Sequence, residues 1–144
     1  MADLSLRNVK KVYEFIEWIK EQPYYENTTI VLSGDHLTMD PAFLEDLEEG
    51  YTRTVYNCII NSAILPTGGD MTREFATFDM FPTTLAAMGV RIEGERLALG
   101  TNLFSEQETL TEMFGYERLD GELQKRSEWY NEELLEMPED AIFS

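Results

Sequence analysis

Asn27-Thr28-Thr29-Ile30-Val31-Leu32-Ser33-Gly34-Asp35-His36 is the stretch on which the reading of this chain turns. Its β-branched and apolar middle, Thr28 to Ser33, predicts a buried strand, and Gly34 followed by a carboxylate and an imidazole marks where that strand opens into a loop. His36 is the only histidine in 144 residues. In open α/β sheets the carboxyl end of a strand is where ligands bind. An aspartate and a histidine side by side can both reach one divalent cation, the first as a hard oxygen donor and the second as a borderline nitrogen donor. Asp35 and His36 are therefore the candidate metal ligands, and two ligands require completion from elsewhere.

On either side of this strand the pattern alternates between helix and strand. Val9, Val12, Tyr13, Ile16 and Ile19 recur at helical spacing and predict an amphipathic helix over 5–22, with Pro23 leading through a polar turn into the strand. Val55 to Ala63 predicts a second strand. Pro66 to Asp70 reads as an exposed turn, and Asp40 to Gly50 as an acidic loop. Asp79 to Met88 predicts a short helix, with Asp79 capping its first turn, Pro82 tolerated there and Gly89 closing it. Leu97 to Phe104, with Gly100 in the middle, reads as irregular or a short strand. The expected class is α/β, with a small, mainly parallel sheet flanked by helices.

Composition bounds the rest. With 43% hydrophobic and 12% aromatic residues the chain can bury one sizeable core. A formal charge of −17, from 28 acidic and 11 basic residues, repels nucleic acid and anionic lipid, so no nucleic-acid partner is expected. Cys58 is alone, which excludes an intrachain disulfide and any multi-cysteine metal site. No apolar run is long enough to span a bilayer, and the first residues lack a signal-peptide core, so the chain reads as a soluble piece. Residues 105–144 carry 3 basic and 12 acidic side chains. Leu119, Leu123, Tyr130 and Leu134 keep a sparse helical stripe there, which divides the chain into a body, 1–104, and an acidic helical tail, 105–144, packing on it.

Three strings together resemble one family. Tyr25 through His36, then Thr77-Phe78-Asp79-Met80-Phe81-Pro82-Thr83-Thr84-Leu85, then Leu99-Gly100-Thr101-Asn102-Leu103-Phe104, in this order and spacing, resemble the C-terminal part of sulfatase-like phosphoglycerol transferases. These are relatives of lipoteichoic acid synthases in the alkaline phosphatase superfamily. The resemblance covers roughly Val9 to Ser105. It implies a fragment of an alkaline phosphatase-like fold and gives Asp35 and His36 the role of ligands to a divalent metal, commonly manganese, with zinc and magnesium as alternatives. It also makes Asp79, Pro82 and Thr83 a structural motif rather than a catalytic one.

The same family uses a threonine nucleophile, a metal-binding glutamate and a substrate-binding histidine, all upstream of the Gly-Asp-His strand. None of them has a counterpart here, so the resemblance implies the C-terminal portion of a longer enzyme. Its partners would be the remainder of the parent catalytic domain, a phospholipid-derived donor and a glycan or glycolipid acceptor. The parent would be membrane-anchored with an extracytoplasmic catalytic domain, and this piece alone inactive. A sulfatase or phosphodiesterase of the same superfamily, or a non-catalytic acidic interaction module, are the alternative readings.

Other residues invite chemistry and have plainer explanations. Ser33 and Thr38 stand near the pair without a second histidine to act as base, and hydroxyls at strand ends usually cap or bind water. Arg53 and Arg73 could neutralise a phosphate, although salt bridging is the ordinary role for both. Asn27-Thr28-Thr29 matches the glycosylation sequon but falls at the predicted strand start. Trp18 and Trp129 are expected to pack.

Overall fold

The computed structural model describes residues 2–37, 50–67 and 72–125. Helix α1, Ala2–Lys20, forms where the sequence has neither glycine nor proline. Lysine–glutamate pairs one turn apart support it, Lys11 with Glu14 at 2.9 Å and Lys20 with Glu17 at 2.7 Å. Only part of the expected apolar face is covered. Ile16 and Ile19 are buried, whereas Val9, Val12 and Tyr13 are exposed, and Trp18 lies half exposed with its ring stacked on Phe15 at 5.9 Å. Among the described residues the stripe at helical spacing thus sets the helix but is covered only near its carboxyl end.

Strands β1, Ile30–Ser33, and β2, Asn57–Ile60, pair in the register Ile30 with Ile60 through Ser33 with Asn57. Both are shorter than the sequence suggests, because Thr28 and Thr29 turn their hydroxyls onto the carbonyls of Tyr24 and Asn61, at 2.9 and 3.1 Å. Asn61, at φ 57°, then ends β2 and donates its amide to Tyr25 and Thr28 carbonyls, at 2.8 and 2.9 Å. The expected mainly parallel sheet is corrected here: the pair is antiparallel. The chain leaves β1 at Gly34 and re-enters at Tyr56 on the same end of the ribbon, so β2 must run backwards, whereas a parallel partner needs a crossover to the opposite end.

Helix α2, Met80–Ala87, ends as expected. The Gly89 amide donates to Ala86 and the Val90 amide to Leu85, at 2.8 and 3.0 Å, with Gly89 at φ 86°. That is a Schellman closure, which favours glycine. The start of the helix differs from expectation. Asp79 does not cap it; its carboxylate, fully buried, reaches back to the Ala76 amide at 2.8 Å and across to the Thr101 amide at 2.7 Å. Thr83 donates to the Asp79 carbonyl at 2.6 Å and accepts from the Leu103 amide at 3.0 Å. Strands β3, Arg96–Leu97, and β4, Gly100–Thr101, form a tight antiparallel hairpin, resolving the irregular Leu97–Phe104 stretch, and α2 clasps it through these bonds. Gly100 makes the approach feasible: a Cβ there would sit 2.3 Å from the Phe78 carbonyl oxygen.

Two short helices follow, α3, Leu110–Phe114, and α4, Tyr116–Leu123. Thr109 and Glu112 form a reciprocal capping box at the start of α3, the Glu112 amide donating to Thr109 Oγ1 at 3.0 Å and the Thr109 amide to Glu112 Oε2 at 2.8 Å. Arg73 clamps the same glutamate and spends its remaining donors on the carbonyls of Leu103, Ser105 and Gln107. Leu119 of the expected tail stripe is buried and Leu123 is exposed, while Tyr130 and Leu134 lie outside the described residues. The content is mixed α and β, and among the described residues no helix is long and apolar enough to cross a membrane.

Removing the Asp79 carboxylate strands two buried amides, each worth about 1–3 kcal/mol when left unpaired. Asp79→Ala should therefore lower unfolding free energy in urea by about 3 kcal/mol, on the same scale. Gly100→Ala should likewise move the urea midpoint down, because backbone rather than a flexible side chain occupies the space of the new methyl group.

A pH dependence follows from Glu112. The Arg73 guanidinium holds its carboxyl below the ordinary 4.5. Its contribution is present in full above that unfolded value and is lost as pH falls through the lower folded one. Burial pushes Asp79 the other way, so its contribution is present below the unfolded value and lost as pH rises through the folded one. The stability gap between wild type and Glu112→Gln isolates the glutamate. In urea titrations across pH, that gap should be open at neutral pH and close in acid below 4.5.

Candidate metal-binding turn

Gly34 sets the turn that presents the candidate ligands. Its amide donates the last ladder bond, to the Tyr56 carbonyl at 2.9 Å, and a Cβ at this position would come within 2.8 Å of Val55 Cβ. The strands close tightly here and the next residues are thrown outward. Asp35 and His36 stand side by side at the carboxyl end of β1 with 87% and 57% of their side chains exposed.

The local bonding fixes how they face each other. Asp35 Oδ1 accepts the His36 amide at 2.9 Å, which holds the carboxylate over its neighbour. His36 Nδ1 lies 2.8 Å from the Leu37 carbonyl oxygen. That oxygen only accepts, so Nδ1 carries a hydrogen and Nε2 is the ring nitrogen left to meet a cation. Nε2 lies 3.5 Å from Asp35 Oδ2. An imidazole whose second nitrogen donates to a backbone carbonyl is the usual state of a metal-ligating histidine.

One carboxylate oxygen and one imidazole nitrogen suit a divalent cation such as manganese or zinc better than magnesium, which prefers oxygen alone. The donor set fits the expected cation but does not complete its shell. Among the described residues no group of three or more histidine, cysteine, aspartate or glutamate side chains converges to hold a metal. Thr38, Asp40 and the acidic residues through Glu49 lie outside the described residues.

The remaining candidates resolve into structural parts. Ser33 Oγ donates to Asn57 Oδ1 across the ribbon at 2.8 Å, which ties it to β2. Arg73, weighed as a phosphate ligand, is no solvated cation: its five donors meet Glu112 and three carbonyls, and only 14% of its side chain is exposed. Asp79, Pro82 and Thr83 are buried. Trp129 lies outside the described residues.

One feature escaped the sequence reading. A groove of about 410 Å³ runs beside β2, with Ile59, Ile64, Leu65, Met80, Leu103 and Phe104 among its walls. Tyr56 and Cys58 also line it, and the thiol pushes the Tyr56 phenol up from its ordinary value. Nothing in the linear pattern marks it, because its walls come from β2, the following loop, α2 and the residues after β4. Comparison with known proteins found no matching family model, no matching curated protein and no matching solved structure.

Proposed function

We propose that this chain is the C-terminal portion of a metal-dependent phosphoglycerol transferase acting on a glycan or glycolipid acceptor. The observation that carries the reading is the turn itself: Nδ1 of His36 is held by the Leu37 carbonyl while Nε2 faces Asp35 Oδ2. The order of the three motifs supports it, as does the hydrogen bonding of the second to the third through Asp79 and Thr83. In this reading Asp35 and His36 hold a divalent cation, manganese foremost, at the edge of the parent active site. Such a cation lowers the charge on phosphoryl oxygens and activates an oxygen nucleophile. The threonine that would become phosphorylated lies upstream, in the membrane-anchored, extracytoplasmic parent, and the fold as a whole would be alkaline phosphatase-like. A sulfatase or phosphodiesterase of the same superfamily would use the same pair, and the substrate profile of the longer enzyme decides among them.

Manganese titration of the chain, followed by electron paramagnetic resonance, should show weak binding that disappears in both Asp35→Ala and His36→Ala, since open sites completed by water hold cations poorly. Tight binding that survives both substitutions would remove the turn from the site. The chain alone should turn over no phosphodiester, phosphomonoester or sulfate ester. In a longer protein carrying the upstream threonine, Asp35→Asn and His36→Ala should each lower kcat by several orders of magnitude. Near-normal activity in both variants would overturn the proposal and favour a non-catalytic interaction module.

A further inference from the structure

The β1–β2 ribbon has a hydrogen-bonding register that can be read from a single bond. Gly34 donates to Tyr56, so Gly34 and Tyr56, Leu32 and Cys58, and Ile30 and Ile60 are the pairs that exchange hydrogen bonds. Asn57 and Ile59 are the intervening residues, and their amides and carbonyls point away from β1. No other strand adjoins β2 among the described residues, and none of those four backbone groups has a partner there. Edges of this kind are ordinarily covered, charged or interrupted by proline. Among the described residues no strand covers the β2 edge, and Asn57-Cys58-Ile59-Ile60 holds neither a charge nor a proline.

The apolar groove lies along this edge, lined by Tyr56 and the consecutive β2 residues Asn57, Cys58 and Ile59. It does not end at the apolar walls. A second depression of about 300 Å³ shares Pro66, Arg73, Leu103 and Phe104 with it and is bounded by Glu106, Glu108 and Glu112. Glu112 is neutralised by Arg73, while Glu106 and Glu108 are exposed. The surface therefore offers a row of backbone donors and acceptors, then apolar walls, then negative charge.

From this we infer that the β2 edge is a docking site for an extended peptide segment of a partner protein, with alternating apolar side chains and a lysine or arginine at the end that meets Glu106 and Glu108. Strand addition accounts for all three features at once: main-chain bonds to Asn57 and Ile59, side chains in the groove, and a cation at its acidic end. A small apolar molecule would use the walls and leave the backbone groups unpaired. A second copy of this chain would bring another net charge of −17 against the acidic end. The inference does not depend on the metal turn, and it requires that the β2 edge stay open in any longer protein that contains this chain.

The probe is an acetylated peptide alternating valine and threonine and ending in two lysines, added to the full chain. Amide exchange followed by NMR should slow at least tenfold at Asn57 and Ile59, with Val31 and Ser33 on the opposite edge unchanged. Methylating alternate backbone nitrogens of the peptide should abolish binding, a readout that needs no variant of the protein. Glu106→Gln combined with Glu108→Gln should weaken binding severalfold and flatten its dependence on salt. Protection at Val31 and Ser33 instead, binding indifferent to N-methylation, slowed exchange that tracks self-association without peptide, or no binding at all would each overturn the inference.

Discussion

The buried carboxylate of Asp79 is the constraint on which the ordered body of this protein depends. A carboxyl group taken out of water is costly unless its oxygens are met by donors, and here two backbone amides from separate points in the chain meet them. One belongs to the approach to α2 and the other to β4, so the same interaction fixes where the helix begins and where the hairpin lies. Thr83 repeats the arrangement one turn later, donating to the helix and accepting from Leu103. The fully buried large side chains include Thr101, Thr109 and Asp79, which indicates a body held by satisfied polar contacts as much as by apolar packing.

From that body the remaining parts take their places. Ala63 donates to the Ala87 carbonyl at 2.7 Å, which ties the exit of β2 to the end of α2. Arg73 gathers the residues after β4 and the α3 cap around one guanidinium, whose planar fork suits several acceptors at once. The Asp35–His36 turn stands at the far end of the ribbon from the Ala63 contact, held chiefly by its own local bonds.

Much of this was legible in the residues, and the parts that were not have physical reasons. Helical periodicity from Val9 to Ile19, the glycine after α2 and the apolar run before Gly34 are local signals, and the elements they mark form. Strand direction is not local: Ile30 to Ser33 reads the same in a parallel or an antiparallel pair, and only the return of the chain at Tyr56 decides between them. Asp79 before an apolar helix start looks like a cap because the sequence does not show that Thr101 lies within reach. The Asp35 and His36 positions were evident from the glycine and the strand, but the tautomer of the imidazole rests on the Leu37 carbonyl, a backbone atom that no side-chain pattern encodes.

The partial cover of α1 has a consequence for how the molecule opens. An isolated helix of this length is marginal in water, and among the described residues its buried positions are Ile16 and Ile19. The ion pairs along its surface add only tenths of a kilocalorie each. Unwinding can therefore proceed from the amino end without disturbing the Asp79 clasp, so that α1 and the α2–hairpin body form separate cooperative units with different opening free energies. Heat or denaturant would remove the first turns of the helix before the body, so that loss of helix content would precede the cooperative transition whose midpoint reports the Asp79 clasp.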